Sequence, residues 1–307
     1  MTQNSQLTTP DSPDHLFGFD SAFLQKLERL SLLSRRPVQG PSAGPRRSTV
    51  RGSSVEFADF RDYRPGDDIR RVDWNAYARL DRLFLRLYMA EQMTTVTLFL
   101  DHSPSMRFGE PSKALTAARL AAIFSYVALS NDDHLAVVGW GDKIDHQLPR
   151  RSGKRSIPRV WRSIADVMAT PATATDFGAL RDYGLYRRRP GLGIVLSDFL
   201  SDSDWRAGLR ALRGSGLEVS AVQVLAPEEL DPQLRGDWAL RDVETGSEAE
   251  VTISPRVLRR YKGELAAHTA ALQEFTRRQG ISFVQIVSDV SVGDQMLRHL
   301  RAVGVVA

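Results

Sequence analysis

The 307-residue sequence contains no cysteine, which excludes disulfide bonds, thiolate metal ligands and cysteine nucleophiles. We find neither a basic, apolar leader at the N-terminus nor an uninterrupted apolar run of roughly 18 residues, the length that a membrane-spanning helix needs. The nucleotide-binding motifs GxxxxGK[ST] and GxGxxG and the zinc motif HExxH are absent as well. We therefore expect a soluble, cytoplasmic protein without nucleotide-binding or zinc-peptidase machinery.

The composition is that of an ordinary globular protein, with 42% hydrophobic and 25% charged residues. The net charge is +4, and arginines cluster within residues 35–51, 150–162 and 187–189. Such clusters could contact nucleic acid, acidic lipid or an acidic protein surface. Because no nucleic-acid-binding motif accompanies them, we interpret them as solvated surface and expect no nucleic-acid partner.

Shifts in composition predict three segments. Residues 1–19 are polar and rich in Pro, Ser and Asp, which is typical of a disordered tail. Residues 20–93 contain an amphipathic helix, a basic Pro/Gly/Ser linker at 35–47 and a polar, turn-rich block. Residues 94–307 form the main domain.

The main domain alternates apolar strands with amphipathic helices. Strands are predicted at residues 95–100, 134–140, 143–148, 193–196, 217–225 and 281–287. Helices are predicted at residues 114–129, 157–168, 177–185, 204–214, 254–279 and 293–302. This alternation predicts an α/β fold with a doubly wound, mostly parallel, Rossmann-type sheet, one antiparallel edge hairpin and a small N-terminal extension.

Two predicted strands end in an aspartate, Asp101 and Asp198. Ser103 and Ser105 follow Asp101 at two-residue spacing, which in a loop over the sheet edge directs alternate side chains to one point. Ligands of open α/β sheets bind beyond the C-terminal ends of the strands. Carboxylates and hydroxyls there are suitable ligands for Mg²⁺ or Mn²⁺. Because hydroxyls are neutral, the ion would remain electron-poor and bind an acidic oxygen from outside.

Other interpretations of these residues remain open. Asp101 and Ser103 could simply form a turn and cap the next helix. Asp101 and Asp198 could instead hold Mg²⁺ for a phosphohydrolase or nuclease, although no nucleophile or second metal site is evident. A Ser–His–Asp triad also stays open, because its members can be far apart in sequence, but Ser103 lacks the GxSxG turn.

The segment Asp101–Ser105 resembles the DxSxS element of the metal-ion-dependent adhesion site (MIDAS) of von Willebrand factor A domains. That resemblance implies that a threonine and a second aspartate from two later loops complete the site. Thr175 matches the threonine, with Thr173 as the alternative, and Asp198 matches the aspartate. His102 occupies a free position inside the motif, where we expect its imidazole to face solvent.

A second resemblance lies at residues 56–79, EFADFRDYRPGDDIRRVDWNAYAR. This segment is similar to the signature of a bacterial group, domain-of-unknown-function family 58, in which it precedes a von Willebrand factor A-like domain. The resemblance covers residues from about 20 to the end. It implies a functional association with MoxR-type AAA+ ATPases, and it places this chain with the short members that lack N-terminal membrane helices.

The signature segment allows two interpretations of its own. Asp67, Asp68 and Asp73 could form a second acidic metal site, or they could form a turn in which neighbouring arginines pair with them. We expect Trp74, Tyr77 and Phe84 to pack onto the main domain rather than bind a ligand.

Together, these patterns predict a non-catalytic, metal-dependent protein-binding module. Asp101, Ser103, Ser105, Thr175 and Asp198 are the expected ligands of Mg²⁺ or Mn²⁺. An acidic side chain of a protein partner, which we expect to be a MoxR-type AAA+ ATPase, would complete the coordination. The alternative is the Mg²⁺-dependent phosphohydrolase or nuclease.

Overall fold

The structure, a computed structural model, describes residues 17–30, 32, 56–63, 69, 72–89, 94–187 and 190–290. The chain divides into two compact units, one of residues 1–37 and 94–307 and the other of residues 38–93. The predicted linker at 35–47, the predicted helix at 293–302 and most of the predicted tail at 1–19 lie outside the described residues.

A six-stranded sheet forms the centre of the larger unit. Its strands are β3 (Thr95–Asp101), β4 (His134–Trp140), β5 (Ile144–Arg151), β6 (Gly191–Ser197), β7 (Leu217–Leu225) and β10 (Ser282–Val287). Their order across the sheet is β10-β7-β6-β3-β4-β5. All neighbouring strands run parallel except β5, which pairs antiparallel with β4 at one edge. The predicted mostly parallel sheet with one antiparallel edge hairpin is thus confirmed.

Helices cover both faces of this sheet. They are α1 (Ser21–Leu27), α3 (Lys113–Ser130), α4 (Ile157–Ala169), α5 (Gly178–Tyr186), α6 (Trp205–Gly214), α7 (Pro227–Leu230) and α8 (Pro255–Gln279). Buried side chains of α1, α3 and α4 form one apolar cluster with the sheet. Those of α5, α6 and α8 form a second cluster on the opposite face. This two-sided cover is the doubly wound arrangement that alternating strands and helices predict.

The central elements are apolar because both their sides are covered. In β3, Leu98 and Leu100 face the first cluster whereas Phe99 faces the second. Helix α3 is buried along most of its length. By length and composition α3 is the one described helix that could span a membrane, but 78% of its apolar window is buried inside the protein. A core helix of a folded domain meets the same criterion, so its apolar character follows from its central place in the fold.

The N-terminal helix α1 belongs to the larger unit. Asp20 caps it by accepting a 2.6 Å hydrogen bond from the backbone N of Phe23. Phe17 and Phe19, at the end of the predicted tail, are buried, and their rings meet that of Trp161 edge to face at 5.7 and 5.6 Å. These aromatic contacts attach the segment before α1 to helix α4.

A second antiparallel pair, which the sequence patterns did not indicate, follows α7. Strands β8 (Gly236–Arg241) and β9 (Glu248–Ile253) form a hairpin in which nearly every residue is exposed. Because neither of its faces is buried, the hairpin lacks the alternation of apolar and polar residues that reveals a strand in a sequence.

The smaller unit contains strands β1 (Glu56–Asp62) and β2 (Phe84–Met89), paired antiparallel, and helix α2 (Trp74–Leu80). Asp73 is 6% exposed and caps α2, because its Oδ1 accepts hydrogen bonds from the backbone N of Asn75 and Ala76. Asp67 and Asp68 lie outside the described residues. For Asp73, the structure therefore shows a helix cap, a structural role. The predicted packing of Trp74, Tyr77 and Phe84 stays a prediction, and Trp74 and Tyr77 are 56% and 41% exposed.

Candidate metal-binding site

The predicted site residues lie at the point in the sheet where the crossover helices change from one face of the sheet to the other. From β3 the chain crosses through α3 to β4, whereas from β6 it crosses through α6 to β7 on the other side. β3 and β6 are neighbours, with Leu100 opposite Leu196, so Asp101 and Asp198 reach the same C-terminal edge. Such a switch point opens a crevice between the two crossovers, which is where ligands of this fold class bind.

Asp101 is fully buried, and both of its oxygens are held by hydrogen bonds. The backbone N of Ser103 donates to Oδ1 at 3.0 Å, and Ser197 Oγ donates to Oδ2 at 2.6 Å. Ser103 Oγ lies 3.0 Å from Ser105 Oγ. The DxSxS loop therefore brings one carboxylate and two hydroxyls together, as its two-residue spacing predicts.

Asp198 lies one residue beyond β6 and is also buried. Its Oδ1 accepts a 3.0 Å hydrogen bond from the backbone N of Leu200, and its Oδ2 accepts a 2.7 Å bond from Lys113 Nζ. Lys113, the first residue of α3, also donates to Oε1 of Glu229 at 2.5 Å. Asp198 is thus part of a buried ion-pair network in which Lys113 lies between two carboxylates.

The residue after Asp198 has an unusual backbone conformation. Phe199 has a φ of +56°, in the left-handed region, where a bulky side chain costs about 1–3 kcal/mol. Its buried ring stacks on that of Phe177 at 5.4 Å, and His268 Nε2 lies 2.7 Å from its carbonyl oxygen. These contacts hold the sharp turn that directs the Asp198 carboxylate into the crevice.

The threonine loop reaches both other loops through backbone contacts. The backbone N of Ala172 donates to the carbonyl of His102 at 2.9 Å, and Ser201 Oγ donates to the carbonyl of Thr175 at 3.0 Å. The loop also packs closely on Gly141, where an added Cβ would lie 2.2 Å from the Cβ of Ala172. The structure therefore brings together the three predicted loops at one edge of the sheet.

The two threonines considered for this loop differ in their surroundings. Thr175 is 7% exposed, and its Oγ1 donates a 2.9 Å hydrogen bond to Oε1 of Glu244. Thr173 is exposed, and its Oγ1 donates to Oδ1 of Asp142 at 3.1 Å. The burial of Thr175 and its link to the Asp198 loop favour Thr175 as the residue of the site.

The expectation that His102 faces solvent is wrong. The residue is 5% exposed, its Nδ1 lies 2.7 Å from the carbonyl oxygen of Thr170, and its Nε2 lies 2.8 Å from Oδ1 of Asp145. The ring therefore joins the DxSxS loop to the end of α4 and to β5. A free position inside a sequence motif gives no information about the packing behind the loop.

The buried charges leave the crevice with an excess of negative charge. Burial and the charge of Asp198 together raise the pKa of Asp101 to about 7, against the hydrogen bonds from Ser197 and Ser103. Burial alone would lower the pKa of Lys113, but the carboxylates of Asp198 and Glu229 outweigh it and raise that pKa. When Asp101, Asp198 and Glu229 are ionised, their three negative charges exceed the single positive charge of Lys113, a balance that an additional cation would improve.

The chemistry of these donors fits a hard divalent cation. Two oxygens that bind one Mg²⁺ at right angles, each at about 2.1 Å, are separated by about 3.0 Å. The Ser103 and Ser105 hydroxyl oxygens have that separation. Within the part of the chain that the structure describes, no group of three or more His, Asp or Glu side chains is arranged to hold a metal ion. A metal here would therefore depend on two carboxylates and neutral hydroxyls.

Four residues at the site were not predicted from the sequence, namely Lys113, Ser197, Glu229 and Glu244. Ser197 could have been found, because it directly precedes Asp198 at the end of a strand. Lys113 is the first helical residue after the DxSxS loop, a position that is usually solvated. Glu229 and Glu244 come from segments far along the chain, and no sequence pattern relates them to Asp101.

Comparisons with known proteins relate the chain to bacterial proteins. The chain is 28% identical over 295 residues to the "Uncharacterized protein Mb1516" of Mycobacterium bovis, covering 94% of this chain and 93% of that relative. Among solved structures, the conserved hypothetical protein BatB from Bacteroides thetaiotaomicron matches 68% of this chain and 98% of its own, with 17% identity and a TM-score of 0.41. An aerotolerance-related membrane protein from Bacteroides fragilis matches 60% of this chain and 99% of its own, with 19% identity and a TM-score of 0.38.

The family assignment rests on a match over most of the chain. The sequence model of the family described as "Protein of unknown function DUF58" matches residues 59–271, which include most of the signature segment and the three loops of the site. The chain therefore belongs to the DUF58 family.

Proposed function

We propose that this chain is a non-catalytic protein-binding module that holds Mg²⁺ or Mn²⁺ at the edge of its sheet. Asp101, Ser103, Ser105, Thr175 and Asp198 would hold the ion. The ion would supply a positive charge to which an acidic side chain of a protein partner binds. This is the MIDAS type of site that the resemblance to von Willebrand factor A domains implies.

The observation that carries this proposal is the pair of buried carboxylates at the switch point. The pKa of Asp101 is raised to about 7 because the group is buried and Asp198 is close to it. Burial of two like charges is costly unless a cation compensates them. Lys113 compensates the charge of Asp198, but it also pairs with Glu229. The donors to Asp101 among the described residues, Ser103 N and Ser197 Oγ, are uncharged.

The donor set favours binding over hydrolysis. A two-metal hydrolytic site needs further carboxylate or imidazole ligands. Here the imidazole next to Asp101, that of His102, contacts Thr170 and Asp145 instead. Neutral hydroxyl ligands leave the bound ion electron-poor, so an incoming carboxylate becomes a strong ligand.

The partner follows from the family resemblance. The resemblance of the signature segment implies an association with MoxR-type AAA+ ATPases, and we propose such an ATPase as the protein whose acidic side chain is captured. We further propose that the chain acts in the cytoplasm as an adaptor for that ATPase.

The test uses the full chain with Mn²⁺ and with a purified MoxR-type AAA+ ATPase from the same bacterium. Isothermal titration should show Mn²⁺ binding by the wild type and a loss of at least about tenfold in affinity in Asp101→Asn. Asp182→Asn is the matched control, because this exposed carboxylate pairs with Arg181 on the surface, away from the site. Pull-down of the ATPase should require Mg²⁺ and should fail with EDTA and in Asp101→Asn.

Two results would contradict the proposal. In the first, the wild type shows no Mn²⁺ binding, or the ATPase binds equally well with EDTA and in Asp101→Asn. In the second, the wild type hydrolyses a phosphate mono- or diester with Mg²⁺ and Asp101→Asn abolishes that activity, which would establish the phosphohydrolase or nuclease instead.

A further inference from the structure

We infer that Glu244, in the turn of the β8–β9 hairpin, is an internal carboxylate that covers the threonine corner of the site without binding the ion, so that a partner's carboxylate must displace it. The inference rests on the proposed function, because it concerns access to the same ion. It adds a residue and a structural element, the hairpin, that neither the DxSxS motif nor the family signature contains.

The contact between Glu244 and the threonine loop uses both carboxylate oxygens. Oε1 accepts a 2.9 Å hydrogen bond from Thr175 Oγ1, and Oε2 accepts a 3.0 Å bond from the backbone N of Thr175. The two residues are 69 positions apart, so the contact is tertiary. A carboxylate from elsewhere in the chain thus occupies the donors of the residue that we place in the metal site.

The turn of the hairpin holds Glu244 in this position. Oδ1 of Asp242 accepts hydrogen bonds from the backbone N of Glu244 at 2.8 Å and of Thr245 at 3.3 Å. Thr245 Oγ1 and Ser247 Oγ are 2.8 Å apart, and the backbone of Asp242 pairs with that of Ser247. The turn is therefore held by its own contacts, which fix the backbone from which the Glu244 side chain reaches Thr175.

The hairpin itself has few apolar contacts with the rest of the unit. All six residues of β8 are exposed, and in β9 only Ile253, at the base, is buried. Segments with little buried apolar surface open at low free-energy cost. The contact of Glu244 with Thr175 can therefore be broken without unfolding the domain, as the displacement of Glu244 by a partner's carboxylate requires.

Thr175 keeps the capacity to bind an ion while Glu244 is in place. Its hydroxyl donates its proton to Glu244, and the oxygen lone pairs remain available as an acceptor. Removal of Glu244 should therefore leave the metal affinity nearly unchanged but open the ion to carboxylates from solution. A residue that merely positions Thr175 would behave differently, because its loss would weaken metal binding.

The experiment compares the full-length wild type with Glu244→Ala and with Glu248→Ala, which removes an exposed carboxylate of the same hairpin outside its turn. The probes are Mn²⁺ and acetate. Titration calorimetry gives the Mn²⁺ affinity, and water proton relaxation reports the water molecules on the bound Mn²⁺ and their replacement by acetate. Thermal unfolding verifies that each variant is folded.

We expect Mn²⁺ affinities within about threefold of the wild type in both variants. In Glu244→Ala the relaxation enhancement per bound Mn²⁺ should rise, and acetate should reduce it at a concentration at least about fivefold lower than in the wild type. Glu248→Ala should behave as the wild type does.

Three other outcomes would overturn the inference. Equal competition by acetate in the wild type and in Glu244→Ala would show that Glu244 does not cover the site, while Mn²⁺ binding that depends on Asp101 would leave the proposed function intact. A loss of Mn²⁺ affinity in Glu244→Ala would make Glu244 a positioning residue. An absence of Mn²⁺ binding in the wild type would remove the proposed function and this inference together.

Discussion

Ser197 Oγ donates a 2.6 Å hydrogen bond to Oδ2 of Asp101, and so joins the ends of two neighbouring strands inside the core. The same hydroxyl oxygen accepts a 3.0 Å bond from the backbone N of Phe199, the residue with the left-handed backbone. One buried serine therefore fixes both the Asp101 carboxylate and the turn that carries Asp198. Groups that orient metal ligands in this way commonly control the affinity of a metal site.

Replacing Ser197 by Ala should weaken Mn²⁺ binding by about 10- to 100-fold, the usual effect of losing a group that orients a metal ligand. The reason is that Asp101 loses its shortest hydrogen bond and the turn at Phe199 loses an acceptor. The control is Ser215→Ala, since Ser215 is also buried but bonds to Leu212 at the end of α6. Calorimetry with Mn²⁺ measures the effect, and equal affinities in the two variants would contradict the role given to Ser197.

Replacing Lys113 by Met should destabilise the metal-free protein by about 3–5 kcal/mol, because Asp198 and Glu229 lose the ammonium between them. Added Mg²⁺ should then raise the Tm of the variant more than that of the wild type, because the ion takes over part of this compensation. In the control Lys154→Met, an exposed ion pair with Glu28 is lost, and the Tm should change little because water screens this pair. A Tm of Lys113→Met that does not respond to Mg²⁺ would argue against a cation site beside Asp198.

Replacing Gly184 by Ala should destabilise the fold by about 1–3 kcal/mol, the cost of overpacking a tight contact. Helices α5 and α6 meet at this glycine, where an added Cβ would lie 2.5 Å from the carbonyl carbon of Ala211. Gly214, at the end of α6, has open space around it, and Gly214→Ala should be neutral or stabilise by up to about 1 kcal/mol. Denaturant unfolding measures both, and similar values for the two variants would contradict the close packing.

Replacing Asp133 by Asn should raise the Tm at pH 7 by about 1–3 °C and leave it unchanged at about pH 3. Burial raises the pKa of Asp133 above its ordinary value of 3.8, against the hydrogen bond from the backbone N of Thr94. A raised pKa means that the folded state binds the proton more tightly, so the wild type loses stability as the pH rises from 3.8 through the folded pKa. Asn keeps the acceptor without the charge. If the Tm of Asp133→Asn differs from that of the wild type by the same amount at both pH values, the charge of Asp133 is not the cause.

The secondary structure of the main domain could be predicted because its pattern is local. Strand β3 is a continuous apolar run because both its faces are covered, and residues 134–140 and 217–225 coincide with β4 and β7. The β8–β9 hairpin could not be predicted in this way. Its residues are exposed on both faces and therefore show no regular alternation of apolar and polar side chains. The burial of His102 was missed for a related reason, since its partners Thr170 and Asp145 come from later segments.

The sequence by itself determined the order of strands and helices, the ends of the strands and therefore the edge at which Asp101 and Asp198 lie. These features follow from apolar periodicity and from the rule that parallel strands end at the same edge. Only the tertiary structure decided which groups surround the site. It places Lys113 between Asp198 and Glu229, and it brings Glu244 into contact with Thr175. Such contacts join residues 69 to 116 positions apart, and their electrostatic effects depend on distance and burial, which a local pattern does not encode.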